Sequence, residues 1–462
     1  MKKLSITFIW IVVSVFGVQA QPSIVGEWKG AINIQGQQLG VIFDIEGQPG
    51  DLSGTLDIPQ QGAMGLSLTR VEQKSDSVFV TFFTGQGNGD FFGTFSSNSL
   101  ISGTYSQGPA SFPFEIKKQV DSGEPGIEPG RGEDLVIQGN DVEIGGTLVY
   151  PEAVNEAPLV ILISGSSAQN RDSNIFEFKI FAEIAEHLKS NGIASFRYDD
   201  RQIGESTGNF MNTTLDMLAD DVDAIIDYLT TMKGKTFGDV ILLGHSQGGV
   251  VAGKVAAEND KVDRLILMAS TGVPLKDILR FQVKQGFGEG IHDEGDVEKE
   301  ISLREEMMVA IRDGEDMEEA KQKYLEHYKS MLEKLPEEQK SGLPDIDTFV
   351  QQQVQQLAGY YSTRQTQSLL FYDPAKDLAE LDIPVLVLFG GKDTQVTEEM
   401  NRAPIENALE EAGTEYQVDV LPEANHLFQD ANSGQVSEYA MLDKAFVDEF
   451  LETISEWIVK RD

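Results

Sequence analysis

The sequence predicts an α/β protein: a mostly parallel sheet with a helical cap insertion, preceded by a small all-β domain, sandwich or barrel. Three observations predict it. Ahead of residue 119 the chain consists of short alternating apolar and polar runs broken by Gly, Gln, Asn and Ser. From residue 133 wholly apolar runs alternate with amphipathic ones, as a parallel sheet covered on both faces requires. Between about 271 and 375 charged, helix-forming sequence breaks that rhythm, which then resumes.

The elements follow in order. "MKKLSITFIWIVVSVFGVQAQ" opens with Lys2 and Lys3, runs apolar from Leu4 to about Val18 and offers small residues at Val18-Gln19-Ala20. Residues 1–20 therefore read as a signal peptide cleaved near Ala20, which places the mature chain in the periplasm or outside the cell. The competing reading is an uncleaved anchor, but the run is short for about 30 Å of hydrocarbon. No cysteine follows, so a lipoprotein anchor is ruled out, and no later segment is apolar enough to span a membrane.

Residues 22–118 carry a recurring Gly, polar, large-apolar device at Gly26-Glu27-Trp28, Gly54-Thr55-Leu56, Gly93-Thr94-Phe95 and Gly103-Thr104-Tyr105. Period-two alternation with frequent turn residues predicts an antiparallel β domain. Residues 119–132, rich in Gly, Pro and acids, read as a linker, and residues 133–462 as the second domain. There "LVILISG" (159–165), "ASFRYD" (194–199), "DVILLG" (239–244), "DRLILMAS" (263–270), "PVLVLFG" (384–390) and "EYQVDVLP" (415–422) predict strands. Helices are predicted near Phe176–Ser190, Thr214–Met232, Glu398–Ala412 and Leu442–Lys460. The insertion at about 271–375 is expected to cap the carboxyl edge of the sheet, with Ile278, Leu279, Phe281, Met307, Met308, Val309 and Ile311 covering a pocket mouth.

Composition narrows the function. The 462 residues include 36 basic and 75 acidic ones, for a net charge of −39. Nucleic acid and anionic membranes repel such a surface. The absence of cysteine excludes disulfides, thiolate catalysis and cysteine-ligated zinc.

Two stretches match Gly-x-Ser-x-Gly: Gly244-His245-Ser246-Gln247-Gly248 and Gly204-Glu205-Ser206-Thr207-Gly208. The second follows a charged loop and starts no helix, so Ser206 reads as a loop serine. The first lies between an apolar strand and the helix-compatible "GVVAGKVAAEN", the context of a nucleophile elbow. A serine nucleophile needs a base, and the base an orienting acid. Of five histidines, His187 lies on a polar helix face, His292 and His327 in the insert, and His245 beside the serine. His426, just after a strand, is the one placed as a base. Asp393 follows "PVLVLFG" behind two glycines and is the candidate acid; Asp382 precedes its strand and would lie at the wrong edge. The backbone N–H groups of Gln247 and Ser166 are the candidate oxyanion donors. Arg171 and Asp172 are expected to pair with Asp199, Asp200 or Arg201 and hold the adjoining loop.

In order, "SGSSAQNRD", "DDRQIGES", "GHSQGG", "GGKDTQV" and "NHLF" resemble the landmarks of the α/β-hydrolase superfamily, nearest to bacterial secreted carboxylesterases with an inserted helical cap, close to its acyl-thioesterase-like and dipeptidyl-peptidase-like branches. Ser164 departs from the histidine common before the oxyanion-hole glycine, and Gln202 from the usual "DRG". The resemblance implies serine hydrolysis of a small-molecule ester without metal or cofactor. A peptidase, amidase or thioesterase of the same fold is the alternative; residues 22–118 are too short for a propeller, whose blades take about 40 residues each. An alternative of another class is a glycan- or lipid-binding protein with a vestigial hydrolase domain.

Overall fold

The β domain closes on itself. The computed structural model describes residues 23–460 except 35–36, 49–50, 59–62, 84–87, 108–109, 119–131, 153, 287–293 and 335–345. The expected signal peptide, the linker up to residue 131 and His292 lie outside the described residues. The chain divides into two compact units, Met1–Gly123 and Glu124–Asp462.

In the first unit β1 (Gly26–Ile34), β2 (Gln37–Gln48), β3 (Asp51–Ile58), β4 (Ala63–Lys74), β5 (Ser77–Phe83), β6 (Asn88–Ser97), β7 (Leu100–Gln107) and β8 (Ala110–Lys118) form a closed barrel in sequential order. Each strand pairs antiparallel with the next, and β8 returns to β1 with Trp28 opposite Lys118. Of the two architectures open to the sequence, the barrel is the one adopted. Alternation sends Trp28, Phe43, Phe82, Phe91 and Phe114 into a shared, buried core. The Phe91 ring meets Phe43 edge-on at 4.9 Å and Phe114 at 5.0 Å, and Trp28 Nε1 donates to the Ile24 carbonyl at 2.7 Å. The space left among the core residues is about 10 Å³, too little for more than one water.

The second unit is built on an eight-stranded sheet. Its strands are β9 (Glu133–Gln138), β10 (Glu143–Val149), β11 (Ala157–Ile163), β14 (Ala194–Tyr198), β15 (Phe237–His245), β16 (Arg264–Met268), β17 (Val385–Gly390) and β18 (Tyr416–Leu421). A small ribbon, β12 (Asn174–Ile175) with β13 (Phe178–Lys179), lies outside it. The order is β18-β17-β16-β15-β11-β14-β10-β9, parallel from β18 to β14 and antiparallel over the last two strands. Period two sorts β11 between two cores. Leu159, Ile161 and Ile163 join one with Val222 and Val251, whereas Val160 and Leu162 join the other with Phe181 and Ile454.

The first core is covered by α2 (Leu215–Thr231), α3 (Gln247–Glu258) and α10 (Glu398–Ala412); the second by α1 (Ile180–Ser190) and α11 (Phe450–Val459). Thr214 caps α2 by accepting the Met217 N–H. Two predicted helices are shorter than expected. The one predicted from Phe176 begins at Ile180, because the preceding residues form the β12–β13 ribbon. The one predicted from Leu442 begins at Phe450, because Phe446 pairs with Gln429 and Val447 N–H donates to the Phe428 carbonyl at 2.8 Å.

The insertion contains α4 (Leu275–Gly286), α5 (Glu294–Asp313), α6 (Met317–Glu333), α7 (Ile346–Ser362), α8 (Arg364–Leu370) and α9 (Pro374–Leu378). Helices α5, α6 and α7 bury a core of their own, including Met307, Met308, Tyr324, Val350 and Tyr361. The expected pocket cover is corrected accordingly. Met307 and Met308 are spent on that internal core, Ile311 packs against it, Val309 is exposed and Phe281 is not among the cavity-lining residues, leaving Ile278 and Leu279 of α4 to face the cavity, Leu279 packing against the internal core as well. No described helix is long and apolar enough to cross a membrane.

Candidate active site

Strand β15 delivers Ser246 to the carboxyl edge of the sheet, and α3 starts at the next residue. The turn between them is tight. Ser246 has φ 54° and ψ −121°, a region that L-residues avoid and that costs on the order of 1–3 kcal/mol. Its N–H donates to the Met268 carbonyl at 2.9 Å, and its carbonyl accepts the Gly249 N–H at 3.0 Å, which fixes the strained residue from both sides. Gly248 lets α3 approach the end of β11: a Cβ there would lie 2.3 Å from the Ile163 carbonyl oxygen.

Asp393 stands three residues past β17 and His426 in the loop after β18. The two are joined by a 2.7 Å contact from His426 Nδ1 to Asp393 Oδ2, and both side chains are buried. The other carboxylate oxygen, Oδ1, accepts the Gln395 N–H at 2.7 Å and the Val396 N–H at 2.9 Å, so the acid is held without a cationic partner. Asn425 shapes the histidine loop, its Oδ1 accepting the Leu427 and Gln429 N–H groups at 2.9 and 3.0 Å. Ser246, His426, Gln247 and Ser166 border one cavity of about 240 Å³. As the first residue of α3, Gln247 has an N–H without an intrahelical acceptor.

His245 has a different place. It is buried, its ring lies 4.8 Å from that of His426, and its Nε2 is 3.0 Å from the His426 carbonyl. Burial first, then the nearby His426, push its pKa down to about 3. A neutral ring beside a carbonyl carries its proton on Nε2, so His245 donates to and positions the His426 backbone.

Sequence kinship agrees with the topology. A model of the family described as serine aminopeptidase, S33, matches residues 177–293, and a model of the dienelactone hydrolase family matches residues 347–457. The first spans the Ser246 turn, the second Asp393 and His426. The second unit has the α/β-hydrolase fold. The chain is 25% identical to Esterase EstD of Thermotoga maritima over 370 residues, 79% of this chain and 76% of that one. Among solved structures, the hydrolase is similar to Est1E of Butyrivibrio proteoclasticus with ferulic acid bound (TM-score 0.39, 18% identity, 70% of this chain and 96% of that one). It is also similar to the Pyrococcus furiosus esterase Pf2001 (TM-score 0.43, 14% identity, 71% and 90%). It is an enzyme of the hydrolase class with esterases among its relatives.

The remaining polar residues of the hydrolase sort by what they touch. Ser206 is buried, donates to the Asp199 carbonyl at 2.7 Å and accepts the Gly145 N–H at 2.9 Å, so its hydroxyl is consumed in tying its loop to β10 and to the residue after β14. Arg171 pairs with Asp199 at 2.5 Å and Glu205 at 2.7 Å; Asp172 pairs instead with Arg197 at 2.9 Å. Arg201 turns to Asp221 and Asp141, and Asp200 accepts from Ser164 and Gln169. His187 Nε2 meets Ser455 Oγ at 2.9 Å, and His327 is buried beside Glu300 in the insertion core.

Two contributors escaped the sequence reading. Tyr439, buried, accepts from Gln395 Nε2 at 3.1 Å and backs the Asp393 loop. Asn425 was visible only as the residue before His426; nothing in its type announced two backbone hydrogen bonds.

Proposed function

We propose that this hydrolase is an exported serine carboxylesterase acting through Ser246, His426 and Asp393. The observation that carries the reading is the buried 2.7 Å Asp393–His426 contact at the cavity that Ser246 reaches from its strained turn. Ser246 Oγ attacks the ester carbonyl carbon while His426 Nε2 takes its proton. Asp393 holds the imidazole with Nδ1–H toward the carboxylate, so Nε2 has a free lone pair. The oxyanion sits between the N–H groups of Gln247 and Ser166. Collapse breaks the bond to the alcohol oxygen, which leaves with the proton from His426. Water then attacks the acyl-serine, giving its proton to His426, and the acid departs as Ser246 regains its hydrogen.

The cavity lining favours an ester over an aminoacyl amide. It is mostly aliphatic and aromatic, with Val250, Leu275, Ile278, Leu279, Leu369 and Tyr372, and among the described residues it holds no Asp, Glu, Lys or Arg. A free α-ammonium group would enter it without a counter-charge. Binding of a lipid inside the β barrel is disfavoured by the packed barrel core. Export rests on the residues 1–20 pattern.

The test is labelling with a fluorophosphonate probe, followed by rates on a series of aryl esters and on aminoacyl anilides. Attachment at Ser246 with ester turnover and negligible anilide turnover is expected. Absence of labelling, or anilides turned over faster than esters, would replace this reading with the binding or peptidase alternative.

A further inference from the structure

Asp200 is a buried carboxylate with no cationic partner among the described residues. It follows β14 at the carboxyl edge of the sheet and is 5% exposed. The cations around it are engaged elsewhere: Arg171 with Asp199, Glu205 and Asp134, Arg197 with Asp172, and Arg201 with Asp221 and Asp141. Its neighbours Tyr198, Phe210, Leu218 and Val251 line a small space of about 10 Å³ with it. An ionised group in such a place is expensive unless hydrogen bonds compensate.

The compensating bonds all come from one loop. Ser164 Oγ donates to both carboxylate oxygens, at 2.9 and 2.8 Å. The Gln169 N–H donates to Oδ2 at 2.8 Å, and the Asp200 N–H donates back to the Gln169 carbonyl at 3.0 Å. Gln169 in turn donates from Nε2 to the Ser166 carbonyl at 3.0 Å and accepts from Ser173 Oγ at 2.7 Å. One carboxylate thus ties the first and last residues of the segment 164–169, with Ser166 between them. The segment carries strain at Ser167, φ 70°, and presses on the nucleophile: a Cβ at Gly165 would lie 3.3 Å from Ser246 Cβ.

We infer that Asp200 is a positioning residue of the hydrolytic site, holding the Ser164–Gln169 loop so that the Ser166 N–H meets the oxyanion. The inference rests on the proposed triad and adds a residue to it. Ionised, Asp200 accepts charge-assisted bonds from both ends of the loop. Protonated, it can give its O–H to Ser164 Oγ but not to the Gln169 N–H, and the charge-assisted bonds become weaker neutral ones. Burial, the largest influence, with Asp199 and Asp221 adding repulsion, pushes its pKa up to about 7 despite the bonds from Gln169 and Ser164. Two groups must then be unprotonated for full activity, His426 as base and Asp200 as clamp.

Stability should respond in the opposite direction. A folded-state pKa above the unfolded value means that the native state binds the proton more tightly. Stability from this group is therefore present at low pH and lost as pH rises through about 7. Asp200→Asn removes that loss.

The experiment compares wild type, Asp200→Asn and Ser164→Ala on a short aryl ester across pH, with thermal unfolding at about pH 8.5. For Asp200→Asn we expect kcat to fall about ten- to hundredfold with KM nearly unchanged, since the oxyanion contact is made in the transition state. The step near pH 7 that Asp200 adds to the acid limb of kcat/KM should disappear, and the unfolding midpoint should not fall below wild type. Should Asp200→Asn not fold, Ser164→Ala carries the test, with a smaller kcat loss at constant KM. Wild-type kcat and an unaltered acid limb would overturn the inference. So would a kcat loss that tracks a lower unfolding midpoint with the acid limb unaltered, since that is a structural role alone. Fluorophosphonate labelling of the wild-type protein separates the two levels: without attachment at Ser246 the triad and the clamp both fall, and with it a normal Asp200→Asn removes only the clamp.

Discussion

Ser246 and Ser206 show how the same five-residue pattern yields two chemistries. Ser246 is partly open to the cavity on a strained turn, whereas the Ser206 hydroxyl is used up between the Asp199 carbonyl and the Gly145 N–H. Ser246→Ala should therefore lower kcat about 10⁴-fold or more. Ser206→Ala should leave kcat within a few fold and lower unfolding free energy by about 1–3 kcal/mol, because two buried backbone groups lose their partner. Esterase rates and urea titrations check both, and comparable rate losses would mean that the wrong elbow was chosen. Asp393→Asn should reduce kcat about 10³- to 10⁴-fold with the fold intact by circular dichroism, because an amide NH₂ facing Nδ1 favours the wrong imidazole tautomer. Neighbouring sequence is what made Ser246 and Asp393 candidates, since each follows a continuously apolar run, and His426 a candidate, since it follows the alternating strand run before it. Asp200 and Ser164 were not legible as partners. They are thirty-six positions apart, and burial of a carboxylate leaves no trace in residue order.

The central strands of the second unit were readable from sequence because they are buried on both faces and so continuously apolar, as in β16 and β17, whereas the edge strands β9 and β18 are more exposed and more polar. The insertion was readable as helical but not in what its helices face. Period 3.6 marks an apolar stripe without naming the partner, and the α5 stripe belongs to α6 and α7. This separates two kinds of variant. Met307→Ala, at a fully buried position, should lower stability by about 2–5 kcal/mol and leave the ratio of rates on long and short acyl esters unchanged. Leu279→Ala, at the cavity wall, should shift that ratio toward longer acyl groups with little loss on acetate. Thermal melts and an acyl-length series measure the two effects, and a Met307 variant that altered chain-length preference would contradict this division of labour. The late start of α11 was illegible for another reason: Phe446 and Val447 are drawn into pairing by Gln429 and Phe428, contacts that local propensity cannot anticipate.

At the scale of the whole molecule, 75 acidic residues against 36 basic ones make self-repulsion a general tax on the folded state. Raising salt from about 10 to 150 mM should raise the unfolding midpoint by a few degrees, as the screening length contracts to about 8 Å. An unchanged midpoint would mean that the exposed charges are already paired. The barrel has a further consequence. Lys118 at the end of β8 lies opposite Trp28 near the start of β1, its Nζ 5.5 Å from the indole ring centre and bonded to the Ser23 carbonyl at 3.0 Å. The two ends of the module thus emerge side by side, and no strand is structurally the first. Its order could be cut at the Ser75–Asp76 turn and rejoined through a short Gly/Ser bridge between residues 118 and 23. Such a circular permutant should fold cooperatively and still shield Trp28 from quenchers. Stitched in this way, the barrel would be a cassette that can be carried inside a loop of another protein as readily as at its terminus.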